Sequence, residues 1–147
     1  MEKKNINIIN TSGHPNPLLE TKGSAGADLR AFLNYPIIIK PLERKLIPTG
    51  LKIELPLGYE AQIRSRSGLA LKNGIAVLNS PGTIDSDYRG DIGVILINLS
   101  NDEFTVNNGD RIAQIIIAKH EFPNFITTDK LRRSNRGEDG FGSTGKN

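Results

Sequence analysis

An all-β domain is the fold class that this sequence predicts, and three observations lead to it. Isoleucine-rich segments alternate with polar residues, the two-residue period of a strand. Gly, Pro, Asn and Asp punctuate these segments at intervals of about ten residues, as in sandwiches, jelly rolls and barrels. Lastly, 15 glycines and 8 prolines among 147 residues are many for a helical bundle and natural for a turn-rich β fold.

Taken along the chain, Pro48-Thr49-Gly50 is a turn, after which Leu51, Ile53 and Leu55 alternate with polar residues. Pro56-Leu57-Gly58 turns the chain again, and Tyr59, Ala61 and Ile63 alternate up to Arg64. Only Ser67 to Asn73 reads as a helix, about two turns long. Pro81-Gly82 is the next punctuator. Ile92 to Leu99 and Ile112 to Ala118 are apolar on both phases, which predicts strands buried on two faces. Asn107-Asn108-Gly109 turns between them, and no segment repeats. From about Leu131 isoleucine disappears and Gly, Ser, Arg and Asp take over. Residues 1–130 therefore read as one β domain and residues 131–147 as a flexible tail.

Composition excludes several classes of function. An apolar share of 37 %, with the glycines added, is enough for a packed core. Without cysteine there can be no disulfide, thiolate zinc site or cysteine nucleophile, and the chain suits a reducing compartment. The longest apolar run, Ile92 to Ile97, has six residues, far short of a membrane span. The polar start Met1-Glu2-Lys3-Lys4-Asn5 lacks the character of a signal peptide. A cytoplasmic protein with no membrane partner is expected. The net charge of +3 resides in residues 130–147, where Lys130, Arg132, Arg133, Arg136 and Lys146 face only Glu138 and Asp139. A nucleic-acid face would need basic residues and aromatics interleaved over the body, so no stable nucleic-acid binding is expected. A small polyanion suits the charged tail better.

Single motifs do not decide the chemistry. Gly140-Phe141-Gly142-Ser143-Thr144-Gly145 matches the dinucleotide-binding glycine pattern, but no strand–helix context surrounds it. Gly137 to Gly142 has the glycine spacing of a Walker A loop, with Ser143 in place of its lysine. Its glycines, arginine, single aromatic and Ser-Thr pair are nevertheless the parts that wrap phosphates and stack on a ring. Asp85-Ser86-Asp87-Tyr88-Arg89-Gly90 starts like a calcium loop, but Arg89 and Leu96 occupy ligand positions, which leaves a hairpin turn with solvated acids. His14 and His120 are too few for a zinc site and read as incidental.

Order is more specific than any one motif. Ala25-Gly26-Ala27-Asp28-Leu29 is followed by Arg66-Ser67-Gly68-Leu69-Ala70 and then by Gly82-Thr83-Ile84-Asp85-Ser86-Asp87-Tyr88-Arg89-Gly90. Gly109-Asp110-Arg111-Ile112-Ala113-Gln114 comes next, and Arg136 to Gly145 closes the series. Over residues 24–145 this series resembles the five motifs of the homotrimeric dUTP pyrophosphatases, or dUTPases. Ser65 departs from the pattern: the family often has proline there, and serine is expected to loosen the loop slightly.

The resemblance implies a distorted jelly roll with one short helix, assembled as a homotrimer with shared active sites. It implies hydrolysis of dUTP to dUMP and pyrophosphate by water attack on the α-phosphorus, which keeps uracil out of DNA and supplies dUMP for thymidylate synthesis. It further implies Mg²⁺ as cofactor, reached by Asp28 through water, as suits a hard cation that dehydrates reluctantly. Asp85 becomes the orienter and base for the attacking water. Arg66, Ser67 and the amide of Gly68, at the start of the short helix, become phosphate contacts, as does Gln114. Asn79 and the main chain up to Asp85 would read the uracil edge, and Tyr88 would lie against the deoxyribose. In the tail, Phe141 would cover the uracil while Arg136, Gly142, Ser143 and Thr144 meet the phosphates. Two other readings compete. A dCTP deaminase shares the fold but lacks the pairing of Asp-x-Asp-Tyr with a Gly-Phe-Gly tail. A non-catalytic jelly-roll module would be expected to have lost Asp28, Asp85 or Arg136, and all three are present.

Overall fold

A computed structural model describes residues 3–146, which form eleven short strands and one helix. The strands are β1 (Asn7–Asn10), β2 (Ala27–Arg30), β3 (Ile37–Ile39), β4 (Arg44–Pro48), β5 (Leu51–Glu54) and β6 (Tyr59–Arg64). After α1 (Ser67–Asn73) come β7 (Ile75–Val77), β8 (Gly82–Ile84), β9 (Gly93–Asn98), β10 (Phe104–Val106) and β11 (Arg111–Lys119). A four-stranded sheet runs β2-β11-β6-β8 and a three-stranded sheet runs β4-β9-β7, with β1-β5 and β10-β3 as smaller pairs. All of these pairings are antiparallel. The fold is a distorted jelly roll.

Alternation makes the core. Leu51, Ile53 and Leu55 point inward from β5 and just beyond it, while Ala61 and Ile63 do so from β6. Leu29 and Ala113 of the four-stranded sheet and Ile47, Val94 and Leu96 of the three-stranded sheet join the same buried cluster. Each fully buried Ile or Leu stabilises the fold by about 1.5–3 kcal/mol relative to exposure. Among the described residues two polar side chains lie within this core, and both are satisfied. Asn98 Nδ2 donates to the carbonyls of Ile39 and Asp102 at 2.8 and 2.7 Å, while its Oδ1 accepts from the Ser100 amide and hydroxyl. Thr49 donates its hydroxyl to the Ile92 carbonyl at 2.6 Å.

Burial of β9 and β11 on two faces does not occur within one chain. Ile92, Val94 and Leu96 are buried, but Ile95 and Ile97 on the other phase are only half-buried and Leu99 is exposed. On β11, Ile116 and Ala118 are half-buried and Ile117 is exposed. A strand is covered on both faces only where a second layer packs against it, and a single chain supplies one.

The helix has the predicted bounds. Leu69 packs it against the core, and Gly74 ends it in the left-handed region at φ 65°, its N–H bonding the Ala70 carbonyl at 3.1 Å. A Cβ at Gly74 would lie 3.0 Å from the Ser100 amide nitrogen, so a side chain there is excluded by space as well as by backbone. His14, incidental in the sequence, has a structural role. Its ring hydrogen-bonds Asn108 Oδ1 at 3.1 Å and lies against Gly109, fastening the N-terminal loop to the turn before β11. Beyond Lys119 the described chain has neither strand nor helix and is exposed almost throughout, including Phe122, Phe125, Ile126 and Leu131. Among the described residues no helix is long and apolar enough to cross a membrane.

Candidate active site

The first cluster forms where β2 meets β11. Ala27 and Leu29 face the core, so alternation turns Asp28 and Arg30 outward. Gln114 lies opposite Asp28 and Arg111 opposite Arg30. Positions 111 and 114 would occupy opposite faces of a regular strand, but the register shifts between Arg111 and Ala113 and restores them to one side. The same irregularity lets both Ile112 and Ala113 be buried. Arg66, the extended residue that caps α1, donates from Nε to Asp28 Oδ1 at 3.0 Å and from Nη1 to the Arg111 carbonyl at 3.2 Å. Arg111 Nη1 donates to the other Asp28 oxygen at 3.3 Å. One carboxylate, its side chain 14 % exposed, thus sits between two guanidinium groups. The corner keeps one net positive charge, with the uncapped first turn of α1 at Ser67 and Gly68 beside it, an arrangement suited to an anion.

The second cluster is the β7–β8 connection. Asn79 folds against Gly82, where a Cβ would come within 3.3 Å of both Asn79 Nδ2 and Ile63 Cβ, so glycine makes room for the amide. The Ser80 hydroxyl donates to the Val77 carbonyl. Gln62, Arg64, Ser65, Ser80 and Pro81 line an open depression of about 430 Å³. Ser65 is bonded into this region. Its hydroxyl accepts the Val77 N–H at 2.8 Å, a bond that proline could not make.

Asp85 and Tyr88 occupy a third position, just past β8. With Thr83, Ile84, Asp91 and Gly93 they line a depression of about 200 Å³. The Tyr88 hydroxyl donates to the Asp91 carbonyl at 2.9 Å, and its ring lies directly on Gly90. A Cβ at Gly90 would stand 2.4 Å from the Tyr88 hydroxyl oxygen and 2.5 Å from Cζ, so this ring position requires glycine.

Within one chain, then, Asp28, Arg66 and Gln114 come together with Ser67 and Gly68 adjoining, while Asp85 and Tyr88 share a different depression. Asn79 belongs to the hairpin between them. The tail hydrogen-bonds within itself: Arg136 Nε donates to the Asp139 carbonyl at 2.8 Å and the Ser143 amide to the Gly140 carbonyl at 3.1 Å. Phe141 is fully exposed, and Gly142 and Thr144 lie in the same exposed stretch. Arg111 and the Ser65 hydroxyl were not singled out from the sequence. Arg111 lies within the Gly109-to-Gln114 motif, but the irregularity that turns it toward Asp28 leaves no mark in the pattern. Among the described residues no three His, Asp or Glu side chains gather as a metal cage. Asp28, a lone carboxylate already held by two arginines, fits a cation that keeps its own water shell and takes its other ligands from phosphate.

The family model for dUTPase matches residues 14–145. The deoxyuridine 5'-triphosphate nucleotidohydrolase of Cytophaga hutchinsonii is 56 % identical over 141 residues, covering 96 % of this chain and 92 % of its own. The enzyme of the same name from Treponema denticola is 60 % identical over 129 residues, covering 88 % of this chain and 90 % of its own. In structure, a Staphylococcus bacteriophage 80alpha dUTPase mutant with dUpNHpp superposes with a TM-score of 0.85 at 24 % identity, over 97 % of this chain and 99 % of that one. That likeness speaks to the fold, and the sequence relatives to the family. The chain belongs to the dUTPase family.

Proposed function

We propose that this enzyme, a dUTP diphosphatase like its relatives, divides the work of cleaving dUTP to dUMP and pyrophosphate among the three clusters and the tail. The electropositive corner of Asp28, Arg66 and Arg111 is the observation that carries the reading, because a triphosphate needs its charge met before water can approach phosphorus. Arg66, Ser67, Gly68 and Gln114 bind the phosphate chain. Asp28 would hold Mg²⁺ through the cation's water shell, and the ion would supply further neutralisation of the triphosphate charge. Asp85 orients the attacking water and accepts its proton. Asn79 and the neighbouring main chain read the uracil edge: a backbone hairpin offers fixed donors and acceptors that cytosine mismatches, and a narrow slot that excludes the thymine methyl. Pyrophosphate release measured on dUTP, dCTP, dTTP and UTP tests the assignment. Mg²⁺-dependent turnover of dUTP far above the other three is expected, and preference for another nucleotide overturns it. The pool acted on is cytoplasmic dUTP.

Tyr88 selects the sugar in this reading by lying against the deoxyribose where a 2′-hydroxyl would crowd it. Tyr88→Ala should weaken dUTP binding and narrow the gap between dUTP and UTP. Gly90→Ala should have the same effect with the tyrosine retained, because the new Cβ displaces the ring. An unchanged dUTP:UTP ratio of kcat/KM in both variants contradicts the role of Tyr88.

We further propose a homotrimer with sites shared between subunits. Two features of the chain support association: the uncovered second phase of β9 and β11, and the exposed Phe122, Phe125 and Ile126 beyond the last strand. The number three rests on the family. Light scattering should give three times the mass of the chain, and a monodisperse active monomer would break the shared-site reading.

A further inference from the structure

We infer that Ser65 is a positioning residue for the dUTPase reaction, its hydroxyl locking the Arg66-Ser67-Gly68 loop to the uracil hairpin through the backbone of Val77. The inference rests on the roles proposed above for that loop and that hairpin. β7 is the outer strand of its sheet and pairs with β9 on one side only. The neighbouring Leu78 N–H turns toward β9 and bonds the Ile95 carbonyl at 2.9 Å, so the Val77 N–H faces away from the sheet. Val77 is 2 % exposed, and a buried backbone donor without a partner is costly. The Ser65 hydroxyl is its acceptor at 2.8 Å. On the same residue, the Val77 carbonyl accepts the Ser80 hydroxyl. One buried residue therefore carries a serine bond on each of its backbone groups, one from the phosphate-side loop and one from the base-side hairpin.

The consequence for chemistry passes through Arg66. It follows Ser65 directly, has an extended backbone at φ −85° and ψ 127°, and places its Nε on Asp28. A serine side chain has a single rotatable bond before its oxygen, so the bond to Val77 restricts the backbone at position 65 closely. That restriction sets the direction in which the chain enters Arg66 and the first turn of α1. It also ties Ser65 to the wall of the depression it shares with Ser80 and Pro81. Where proline occupies this position, φ is fixed by the ring. Here a side-chain hydrogen bond does the corresponding work and reaches across to the hairpin as well.

The test compares Ser65→Ala, Ser65→Thr and Ser65→Pro in the full-length chain. Four quantities are measured on each: the melting temperature, hydrogen exchange of the Val77 amide, and kcat and KM for pyrophosphate release from dUTP. Alanine removes the acceptor, so Val77 exchange should accelerate and kcat/KM should fall about tenfold, mainly through KM, as expected for a small misplacement of binding groups. Threonine keeps the hydroxyl and should recover both the protection and the kinetics. Proline fixes the backbone without supplying an acceptor, and should leave Val77 as unprotected as alanine does. A Ser65→Ala enzyme that melts earlier yet keeps parental kcat and KM would reduce Ser65 to a stabilising contact and overturn the inference. Unchanged Val77 exchange in Ser65→Ala, or a threonine variant as impaired as alanine, would overturn it as well. Should the parent chain fail to release pyrophosphate from dUTP, the dUTPase roles themselves fail. The exchange comparison still decides whether the lock exists.

Discussion

Asp85→Asn should leave an enzyme that folds, assembles and binds dUTP like the parent, with kcat lowered at least about 10²–10⁴-fold, the contribution expected of a general base. The substitution is nearly isosteric, and the Asp85 side chain is exposed at the end of β8. Among the described residues its carboxylate makes no ion pair or hydrogen bond, and only its main-chain carbonyl is engaged, by the Tyr88 amide at 3.2 Å. Little folding energy is at stake at such a position. A loss of turnover is therefore a loss of chemistry. The contrast with Asp28 sharpens the experiment, because neutralising Asp28 would leave Arg66 and Arg111 facing each other without the carboxylate between them. That variant should disturb nucleotide binding, whereas Asp85→Asn should not. Single-turnover kinetics with dUTP, alongside titration of a non-hydrolysable analogue, separates the two effects. Near-parental turnover by Asp85→Asn would remove the residue from its role.

The parts of the molecule legible in sequence are those governed by local rules. Leu51, Ile53 and Leu55 alternate and are buried, and the helix begins after Arg66 and ends before Gly74, where a left-handed residue is needed. Asp28 faces outward because its apolar neighbours must face inward. What escaped depends on relations between distant segments. The register shift in β11 is a property of its pairing with β2, so the turn of Arg111 toward Asp28 could not be read from either strand alone. The Ser65 bond joins residues twelve apart through a backbone amide, which no side-chain pattern records. The isoleucines of β9 and β11 are apolar on both phases, a pattern that reads as burial on two faces. Within a single chain one of those phases stays partly open, and the sequence pattern alone does not say what would cover it.

Truncation after Lys130 should leave the assembly intact and collapse kcat/KM for dUTP. Residues 131–146 are exposed almost throughout, with hydrogen bonds that run within the segment, so their removal takes little from the folded body. Their composition suits ordering by ligand instead. Phe141 is fully exposed and can stack on the uracil, worth roughly 1–3 kcal/mol. Arg136, Ser143 and Thr144 can meet the terminal phosphates through charge-assisted bonds, with Gly142 allowing close approach of the backbone. Together these contacts can offset the entropy of ordering the segment and close the site around the attacking water. If the tail of one subunit covers a neighbour's site in the proposed trimer, complementation is a sharper test than truncation alone. Neither the truncated chain nor Asp85→Asn should turn over dUTP efficiently by itself. Mixed and reassembled, they should recover part of the activity, because a hybrid trimer can place an intact tail over an intact Asp85. A tail that covers its own subunit's Asp85 would give no recovery, since every site would then lack one or the other. Hybrid trimers that form, verified by mass, and stay inactive would place the tail in cis.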